Sequence, residues 1–222
     1  MISFIIPTLQ KSEVLIELLC GLNEQKYTSE IILINNALTE LPFKKKFNKL
    51  KILTPNQNLY VNPSWNIGVN LAKENKIALC NDDILFDFSK LGLIQEFISP
   101  KIGIIGMADS NFSQIDYHHI KLRKTISRCF GFGTLMFLNR INYRAIPEDL
   151  KIWHGDDYLF NAQNKINYLL EGFPIKTKMS STSGLPIFNN IIEQDTLNFN
   201  LNYVPKINLS KRVINKIKYF FK

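Results

Sequence analysis

Residues 77–86 read Ile-Ala-Leu-Cys-Asn-Asp-Asp-Ile-Leu-Phe, and this stretch decides how the chain is interpreted. A strand-like apolar run stops at Asn81, Asp82 and Asp83, and a second apolar run begins directly after them. Two carboxylates at the end of a buried strand are costly to desolvate unless a cation lies beside them. A divalent metal supplies such a charge, because Mg²⁺ and Mn²⁺ prefer oxygen ligands. A tight turn with solvated acids explains the same residues, since Asn and Asp favour turns.

The rest of the chain predicts strands that alternate with helices. Apolar runs predict buried strands at residues 3–7, 30–35, 51–53, 77–80, 102–108 and 131–139. Apolar residues at helical spacing or polar helix starts predict helices at residues 12–24, 63–74, 89–98 and 156–164. This order predicts an α/β fold with a mostly parallel, doubly wound sheet, helices on both faces and a ligand site at the carboxyl ends of the strands. Weak periodicity predicts an irregular surface excursion at residues 109–128.

Length and composition favour one domain in a reducing compartment. The chain has 222 residues, 45% of them apolar, so it can bury a sizeable core. We expect a single domain over residues 1–205 and a separate tail over residues 206–222. Its three cysteines lie far apart, which indicates neither a disulfide framework nor a zinc site. There is no charged-then-apolar leader and no apolar run near 18 residues, so a cytoplasmic protein is expected.

Most of the positive charge belongs to the C-terminal tail. The net charge is +8, but residues 196–222 contain six bases and no acid, which leaves 21 bases and 19 acids in the rest of the chain. One helical stripe of the tail is apolar and is flanked by bases; it consists of Val213, Ile214, Ile217, Phe220 and Phe221. This pattern is typical of a helix that lies in an anionic lipid interface. A terminal helix docked on the domain has the same pattern.

Six segments in order carry recognisable motifs. They are an opening strand that ends in Ile-Pro, a second strand with a polar turn, an Asn-rich loop leading into an Asn-Ile-Gly helix, the Asn-Asp-Asp run, a further strand, and a Gly-Asp-Asp run. Their positions are 2–8, 30–38, 58–72, 81–83, 131–140 and 155–157. Together they resemble the family 2 nucleotide-sugar glycosyltransferases with the GT-A fold. The resemblance covers residues 1 to about 164 and leaves the last third of the chain unassigned.

The resemblance implies an enzyme that moves a sugar from a nucleotide-diphosphate donor to an acceptor hydroxyl. It further implies inversion at the anomeric carbon, a divalent metal (Mn²⁺ or Mg²⁺), and two halves, one for the nucleotide-sugar at about 1–108 and one for the acceptor at about 109–205. The expected acceptor is a glycan or glycolipid, and the expected pathway makes a bacterial surface polysaccharide or lipooligosaccharide. Such an enzyme would be cytoplasmic and docked on the inner membrane face through its tail.

The matching motifs also imply roles for individual residues. Asp83, with Asp82, is expected to hold the metal, and Asp157 is expected to be the general base, with Asp156 beside it. The donor-binding residues implied are Pro7, Thr8, Asn35, Asn36, Asn58, Asn66, Asn81 and Asp82. The acceptor-binding residues implied are Gly133, Trp153 and His154. Trp65 and Trp153 are candidates for a wall against a sugar ring, although core packing explains each of them equally well.

Two departures from the family pattern keep other functions open. Asn35 stands where the family usually has an Asp that recognises the nucleobase, and an amide donates as well as accepts hydrogen bonds. Asn81 replaces the first acid of the metal motif. A phage-type glycosyltransferase acting on modified bases in DNA would use the tail and the region of Arg128 to bind phosphates. A non-catalytic binding protein on the same scaffold would explain both amides. The bases Lys121, Arg123, Lys124 and Arg128 are otherwise interpreted as a solvated face.

Overall fold

The computed structural model describes residues 1–41, 47–113, 119–177 and 186–204. The strands are β1 (Ile2–Thr8), β2 (Thr28–Asn35), β3 (Leu50–Leu53), β4 (Lys76–Cys80), β5 (Ile84–Phe86), β6 (Ile105–Met107), β7 (Lys121–Thr125), β8 (Leu135–Asn139), β9 (Asn167–Glu171) and β10 (Ile175–Thr177). The helices are α1 (Leu15–Glu24), α2 (Val61–Leu71), α3 (Leu91–Phe97), α4 (Gly155–Asn161) and α5 (Asn189–Asn198). A short π-helical segment, Phe199–Tyr203, continues α5.

Eight strands form one mixed sheet in the order β3-β2-β1-β4-β8-β6-β9-β7. The strands β3, β2, β1 and β4 are all parallel, so their carboxyl ends meet at one edge of the sheet. The strand β8 then runs antiparallel to both β4 and β6, and β7 runs antiparallel to β9. The strands β5 and β10 form a separate two-stranded sheet. The predicted α/β class is therefore confirmed, with the parallel pairing concentrated in the N-terminal half.

Helices cover both faces of the sheet, as predicted. Successive residues of β1 point to opposite faces: Phe4 belongs to one hydrophobic cluster and Ile5 to the other. The first cluster includes the buried stripe of α1 and residues of α3. The second includes residues of α2 and α4, with Trp65 among them. Strands buried on both faces read as continuous apolar runs, which is why β1, β2 and β4 could be predicted.

The prediction of an irregular excursion at residues 109–128 is wrong at residues 121–125. Residues 121–125 form β7, an edge strand whose backbone pairs with β9 from Lys121–Glu171 to Thr125–Asn167. The segment carries one large apolar residue and three bases because an edge strand faces solvent and is protected by charge. The composition of this segment therefore gave no signal of a strand.

The tail over residues 206–222 lies outside the described residues, and so does its predicted amphipathic helix. Among the helices of the described ranges, none combines the length and the apolar character that crossing a membrane requires.

Candidate active site

A cleft lies at the carboxyl edge of the parallel strands. Thr8 ends β1, Asn36 follows β2, and the run Asn81–Asp83 follows β4. These side chains lie together because parallel neighbours end at the same edge of the sheet. The cleft is lined by Pro7, Thr8, Leu9, Asn36, Asn58, Tyr60, Val61, Asn81, Asp82, Asp83, Ile152 and Phe188. Seven of the residues implied by the motifs therefore share one cavity.

The acids Asp82 and Asp83 form the polar floor of this cleft and are only 7% and 8% exposed. The Thr8 hydroxyl donates to Asp82 Oδ2 at 2.6 Å. Burial raises the pKa of Asp82 to about 6; the bond from Thr8 lowers it and the charge of Asp83 raises it. The net upward shift means that the ionised form of Asp82 is disfavoured here, chiefly because burial removes the carboxylate from water.

The Asp82–Asp83 pair suits a divalent metal that shares its ligands with a substrate. Within the described residues, no group of three or more His, Cys, Asp or Glu side chains is arranged to hold a metal by itself. Mg²⁺ and similar ions are commonly held by one or two carboxylates together with substrate phosphates. Two buried carboxylates, one of them with a raised pKa, fit that donor set. A bound cation would offset their charge in the buried site.

An amide network joins the end of β2 to the loop before α2. The Asn36 amide donates to Ser64 Oγ at 2.9 Å, and its oxygen accepts from the Leu59 N–H at 3.0 Å. Asn58 Oδ1 accepts from the Tyr60 N–H at 2.8 Å. The network fixes the loop that forms one wall of the cleft.

Asn35 lies in a second polar cluster beside the cleft. Its oxygen accepts from Gln10 Nε2 at 2.8 Å, and its nitrogen donates to Thr39 O at 2.8 Å and to Thr54 Oγ1 at 3.2 Å. All of these partners are polar and neutral. The amide uses both its donor and its acceptor there, which a carboxylate could not do.

Asn66 and Trp65 do not line the cleft. Asn66 donates to Ile146 O at 2.8 Å and accepts from the Ile146 N–H at 2.9 Å and from the Tyr143 hydroxyl at 2.7 Å. Its side chain therefore pins the 143–146 segment to α2, and we correct its assignment as a donor ligand. Trp65 is 4% exposed and packs in the second hydrophobic cluster, so it cannot form a wall against a sugar.

Part of the cleft lining is apolar and aromatic. Phe188 and Tyr60 meet edge to face with ring centroids 6.2 Å apart, and Ile152 and Val61 lie beside them. Tyr60 has φ 65° and ψ −176°, a conformation that is largely restricted to glycine. The Asn58 bond and the Asn36 network hold this strained residue in place, so its conformation belongs to the built cleft.

A second acid pair, Asp156 and Asp157, opens α4 and is compensated from within the protein. Arg128 Nη1 donates to Asp156 Oδ2 and Arg128 Nε to Asp157 Oδ1, both at 2.6 Å. His154 Nδ1 lies 2.8 Å from Asp157 Oδ2. Burial raises the pKa of Asp156, Arg128 lowers it, and Asp157 raises it, with a net upward shift. Burial lowers the pKa of Arg128. The charges of the two acids raise it by more, so the net shift is upward.

The two acid pairs are joined by the turn at residues 132–134. The Asn81 N–H donates to Thr134 O at 3.1 Å, which ties the metal-type motif to this turn. A Cβ on Gly133 would lie 2.4 Å from Asp156 Oδ2, so a glycine is required there for the acid to approach the backbone. The implied acceptor residue Gly133 is thus the point where the second acid pair packs against the cleft.

The other implied acceptor residues flank Asp157. The Trp153 side chain is 43% exposed, and its carbonyl accepts from Asn62 Nδ2 at 3.1 Å. The His154 ring stacks on Phe199 with centroids 4.5 Å apart and an interplanar angle of 7°. Trp153 is therefore open to a ligand, whereas His154 is engaged by two neighbours.

Sequence reasoning missed Arg128 and Phe188 as site residues. Arg128 was interpreted as part of a solvated face, but it is 32% exposed and paired with both acids. Two of the other bases of that face, Lys121 and Arg123, pair with Glu171. No local signal identifies Arg128, because its partners lie nearly 30 residues away. Phe188 comes from the unassigned last third.

Comparisons with known proteins agree with this geometry. Residues 3–149 match the model of the family described as "Glycosyl transferase family 2". No curated protein matches the sequence.

Among solved structures, Staphylococcus aureus TarS 1-349 in complex with UDP-GlcNAc has a TM-score of 0.60 and 15% identity, over 92% of this chain and 76% of that chain. Its complex with UDP has a TM-score of 0.58 and 16% identity, over 76% of this chain and 57% of that one. The mannosyltransferase PcManGT from Pyrobaculum calidifontis, in complex with GDP-Man and Mn²⁺, has a TM-score of 0.53 and 13% identity, over 75% of this chain and 53% of that chain.

The chain thus spans 57% of the TarS chain in the UDP complex. At these identities the structures establish the fold alone, which is the predicted GT-A fold. The family match, in contrast, covers more than half of the chain. The chain belongs to glycosyl transferase family 2, the family that its motifs resemble.

Proposed function

We propose that the protein transfers a sugar from a nucleotide-diphosphate donor to an acceptor hydroxyl, with inversion and with a divalent metal. One observation carries the proposal: the turn at residues 132–134 links the Asn81–Asp83 run to Asp156 at one edge of the sheet. Asp82 and Asp83 line the cleft, and Asp156 packs on Gly133 next to the turn that Asn81 contacts. Donor activation and acceptor deprotonation require two such groups side by side.

Asp83 and Asp82 would hold the metal, which would act as Lewis acid toward the departing diphosphate. Thr8 fixes one oxygen of Asp82, so the carboxylate is oriented before any ligand arrives. Asn36, Asn58 and Asn81 line the same cleft, where Asn36 and Asn58 hold the loop against which the nucleotide would bind. The apolar side chains of Tyr60 and Phe188 would keep water from their part of the cleft.

Asp157 would act as general base toward the acceptor hydroxyl. Arg128 binds one of its oxygens and His154 the other. Each carboxylate oxygen has two lone pairs, so each can keep one bond and still accept a proton. A base on the side of the sugar away from the diphosphate gives single displacement, and hence inversion.

The donor could carry either uracil or guanine. The similar structures include complexes with UDP-GlcNAc and with GDP-Man. In this chain Asn35 and its neutral partners Gln10 and Thr54 would meet the base, because they follow or end the parallel strands β2, β1 and β3 at the same edge of the sheet. A neutral amide cluster suits the hydrogen-bonding edge of a base without demanding a cationic partner.

The acceptor is proposed to be a glycan or glycolipid of a bacterial surface polysaccharide or lipooligosaccharide, reached by a cytoplasmic protein on the inner membrane face. The basic tail over residues 206–222 supports membrane docking by its composition. The DNA-acceptor alternative has less support, because Lys121, Arg123 and Arg128 are paired with acids and are less free to meet phosphates.

The proposed reaction is tested by screening UDP-, dTDP- and GDP-sugars for donor hydrolysis and transfer in the presence of Mn²⁺, followed by NMR of the anomeric proton in the product. Transfer with inverted configuration and loss of activity in EDTA are expected. A product of retained configuration contradicts the inverting mechanism, and activity unaffected by EDTA contradicts the metal requirement.

A further inference from the structure

Helix α5 is attached to the rest of the protein through an acid. The residue of α5 that is buried is Asp195, which is 1% exposed. Surface helices usually dock through an apolar stripe. The helix also lies beyond residues 3–149, the part of the chain that matches the family. The function of Asp195 must therefore be sought in the groups that its carboxylate contacts.

The Asp195 carboxylate accepts hydrogen bonds from three successive backbone N–H groups. The Lys151 N–H lies 3.0 Å from both oxygens, and the N–H groups of Ile152 and Trp153 lie 2.7 and 2.8 Å from Oδ2. A buried carboxylate is costly unless it is compensated, and bonds to an ionised acceptor are the strong ones. Three consecutive peptide groups are consequently held in one orientation.

The same segment is held from its other side by α2. The Lys151 carbonyl accepts from the Asn62 N–H at 3.0 Å, and Asn62 Nδ2 donates to Leu150 O at 3.2 Å and to Trp153 O at 3.1 Å. Residues 150–153 are thus clamped: α5 binds the N–H groups of residues 151–153, and α2 binds the carbonyls of residues 150, 151 and 153.

The clamped segment leads directly into the second acid pair. His154 follows it, and Asp157 lies in the first turn of α4. The continuation of α5 also contacts this region, since Phe199 stacks on His154 and His154 bonds Asp157. The position of the Asp157 carboxylate therefore depends on α5 through the backbone and through a side chain.

We propose that Asp195 is a positioning residue, which presents Asp157 to the acceptor hydroxyl by fixing residues 151–153. This role rests on the proposed function, because it assigns Asp195 to the step in which Asp157 acts. Asp195 does not line the cleft, and of the cleft residues it binds only Ile152, through the backbone N–H. Its loss should therefore slow transfer and leave donor binding nearly unchanged.

The test compares Asp195→Asn with Glu193→Gln, which removes the same charge from an exposed position of the same helix. Asparagine has the size of aspartate, but it removes the charge and keeps a single oxygen, so an NH₂ group replaces the oxygen that also accepts from the Lys151 N–H. We expect kcat to fall on the order of 10- to 100-fold, the range for a base misplaced by about 1 Å. Donor affinity in Mn²⁺, measured by calorimetry, should stay within about threefold.

Two outcomes of this kinetic test overturn the proposal. One is a folded Asp195→Asn variant with kcat within about twofold of the wild type. The other is a loss of donor affinity as large as the loss of kcat, which would mean that Asp195 supports the whole cleft. If Asp195→Asn does not fold, Phe199→Leu replaces it, since it removes the ring stacked on His154; unchanged kcat in that variant also overturns the proposal.

A second readout needs no turnover. The chain has two tryptophans, of which Trp153 is 43% and Trp65 4% exposed. In a Trp65→Phe background, acrylamide quenching therefore reports on the clamped segment alone. Asp195→Asn should increase quenching of Trp153, and an unchanged quenching constant contradicts the clamp. If the wild type transfers no sugar, the proposed function fails, and the quenching result still decides whether Asp195 fixes this segment.

Discussion

The two Asp-Asp pairs of this protein differ in what offsets their charge. The Asp156–Asp157 pair is bound by Arg128, which donates to one oxygen of each acid. In the Asp82–Asp83 pair, the Asp82 carboxylate is bound by a neutral hydroxyl, and its pKa is raised to about 6 by burial, against the Thr8 bond, and by the charge of Asp83. Both pairs are the same Asp-Asp dipeptide in the sequence, yet an arginine binds the one and a hydroxyl binds Asp82 of the other.

This difference assigns the pairs to different tasks. A buried carboxylate with a raised pKa gains most from an external cation. Asp82 and its neighbour Asp83 therefore suit a metal that arrives with the substrate. A carboxylate already compensated by an arginine stays in place without a ligand, which suits a group that must meet an uncharged hydroxyl. The predictions below test this division, beginning with the largest expected effect.

Asp157→Asn should lower the transfer rate by about 10²- to 10⁴-fold, the usual contribution of a general base. Donor affinity should not change, because the proposed site for the diphosphate lies at the other acid pair. Steady-state kinetics and calorimetry with nucleotide and Mn²⁺ measure the two quantities. A variant that still transfers sugar at a near wild-type rate would place the base elsewhere, with Asp156 the first residue to test.

Asp82→Asn should stabilise the metal-free protein at pH 7–8 by up to about 3 kcal/mol, because its folded-state pKa of about 6 exceeds the unfolded value of about 4 by roughly two units. The cost of the charged form is fully present above pH 6 and absent below about pH 4, so the gain should disappear as the pH falls through that window.

Thermal unfolding in EDTA at several pH values measures this difference. Glu40→Gln serves as the control, since Glu40 is exposed and lies outside both pairs. A stabilisation that is the same at pH 4 and pH 8 would show that the gain does not come from the charge of Asp82.

Arg128→Gln should destabilise the protein by about 1–2 kcal/mol at pH 7, after allowance for the partial exposure of the arginine and both acids. Arg128 lowers the pKa of Asp156, so the loss should be greatest where the acids are charged and should shrink as the pH falls toward 4.

Arg123→Gln is the matched control for this change. Arg123 also pairs with a carboxylate, that of Glu171, but its side chain is 54% exposed. Urea unfolding should detect little or no loss in that variant, because exposed pairs contribute little. Equal losses in the two variants would mean that Arg128 has no special relation to the acid pair.

The sequence predicted those parts of the fold whose residues carry a local signal. The strands β1, β2 and β4 are apolar runs because they are buried on both faces. The acids at residues 82–83 and 156–157 could be found because each pair follows a recognisable element. In contrast, β7 is an edge strand with three bases, and its pairing with β9 depends on residues more than 40 positions away.

The missed site residues act over long sequence separations. Arg128 meets its acids across a turn and a helix, and Phe188 reaches Tyr60 from the other end of the chain. Asp195 is the buried residue of a polar helix and has no motif around it. Conversely, Asn66 had a motif but binds backbone instead of lining the cleft. A motif records which residues recur together, whereas the contact of each side chain depends on tertiary packing.

The most direct test of the division between the pairs is a calorimetric titration of Mn²⁺ with UDP or GDP into the wild type, Asp83→Asn and Asp157→Asn. We predict metal-dependent nucleotide binding in the wild type and in Asp157→Asn, and its loss in Asp83→Asn, since a neutral amide there no longer offsets the dehydration of the cation. Metal-dependent binding that survives in Asp83→Asn and is lost in Asp157→Asn would contradict the account.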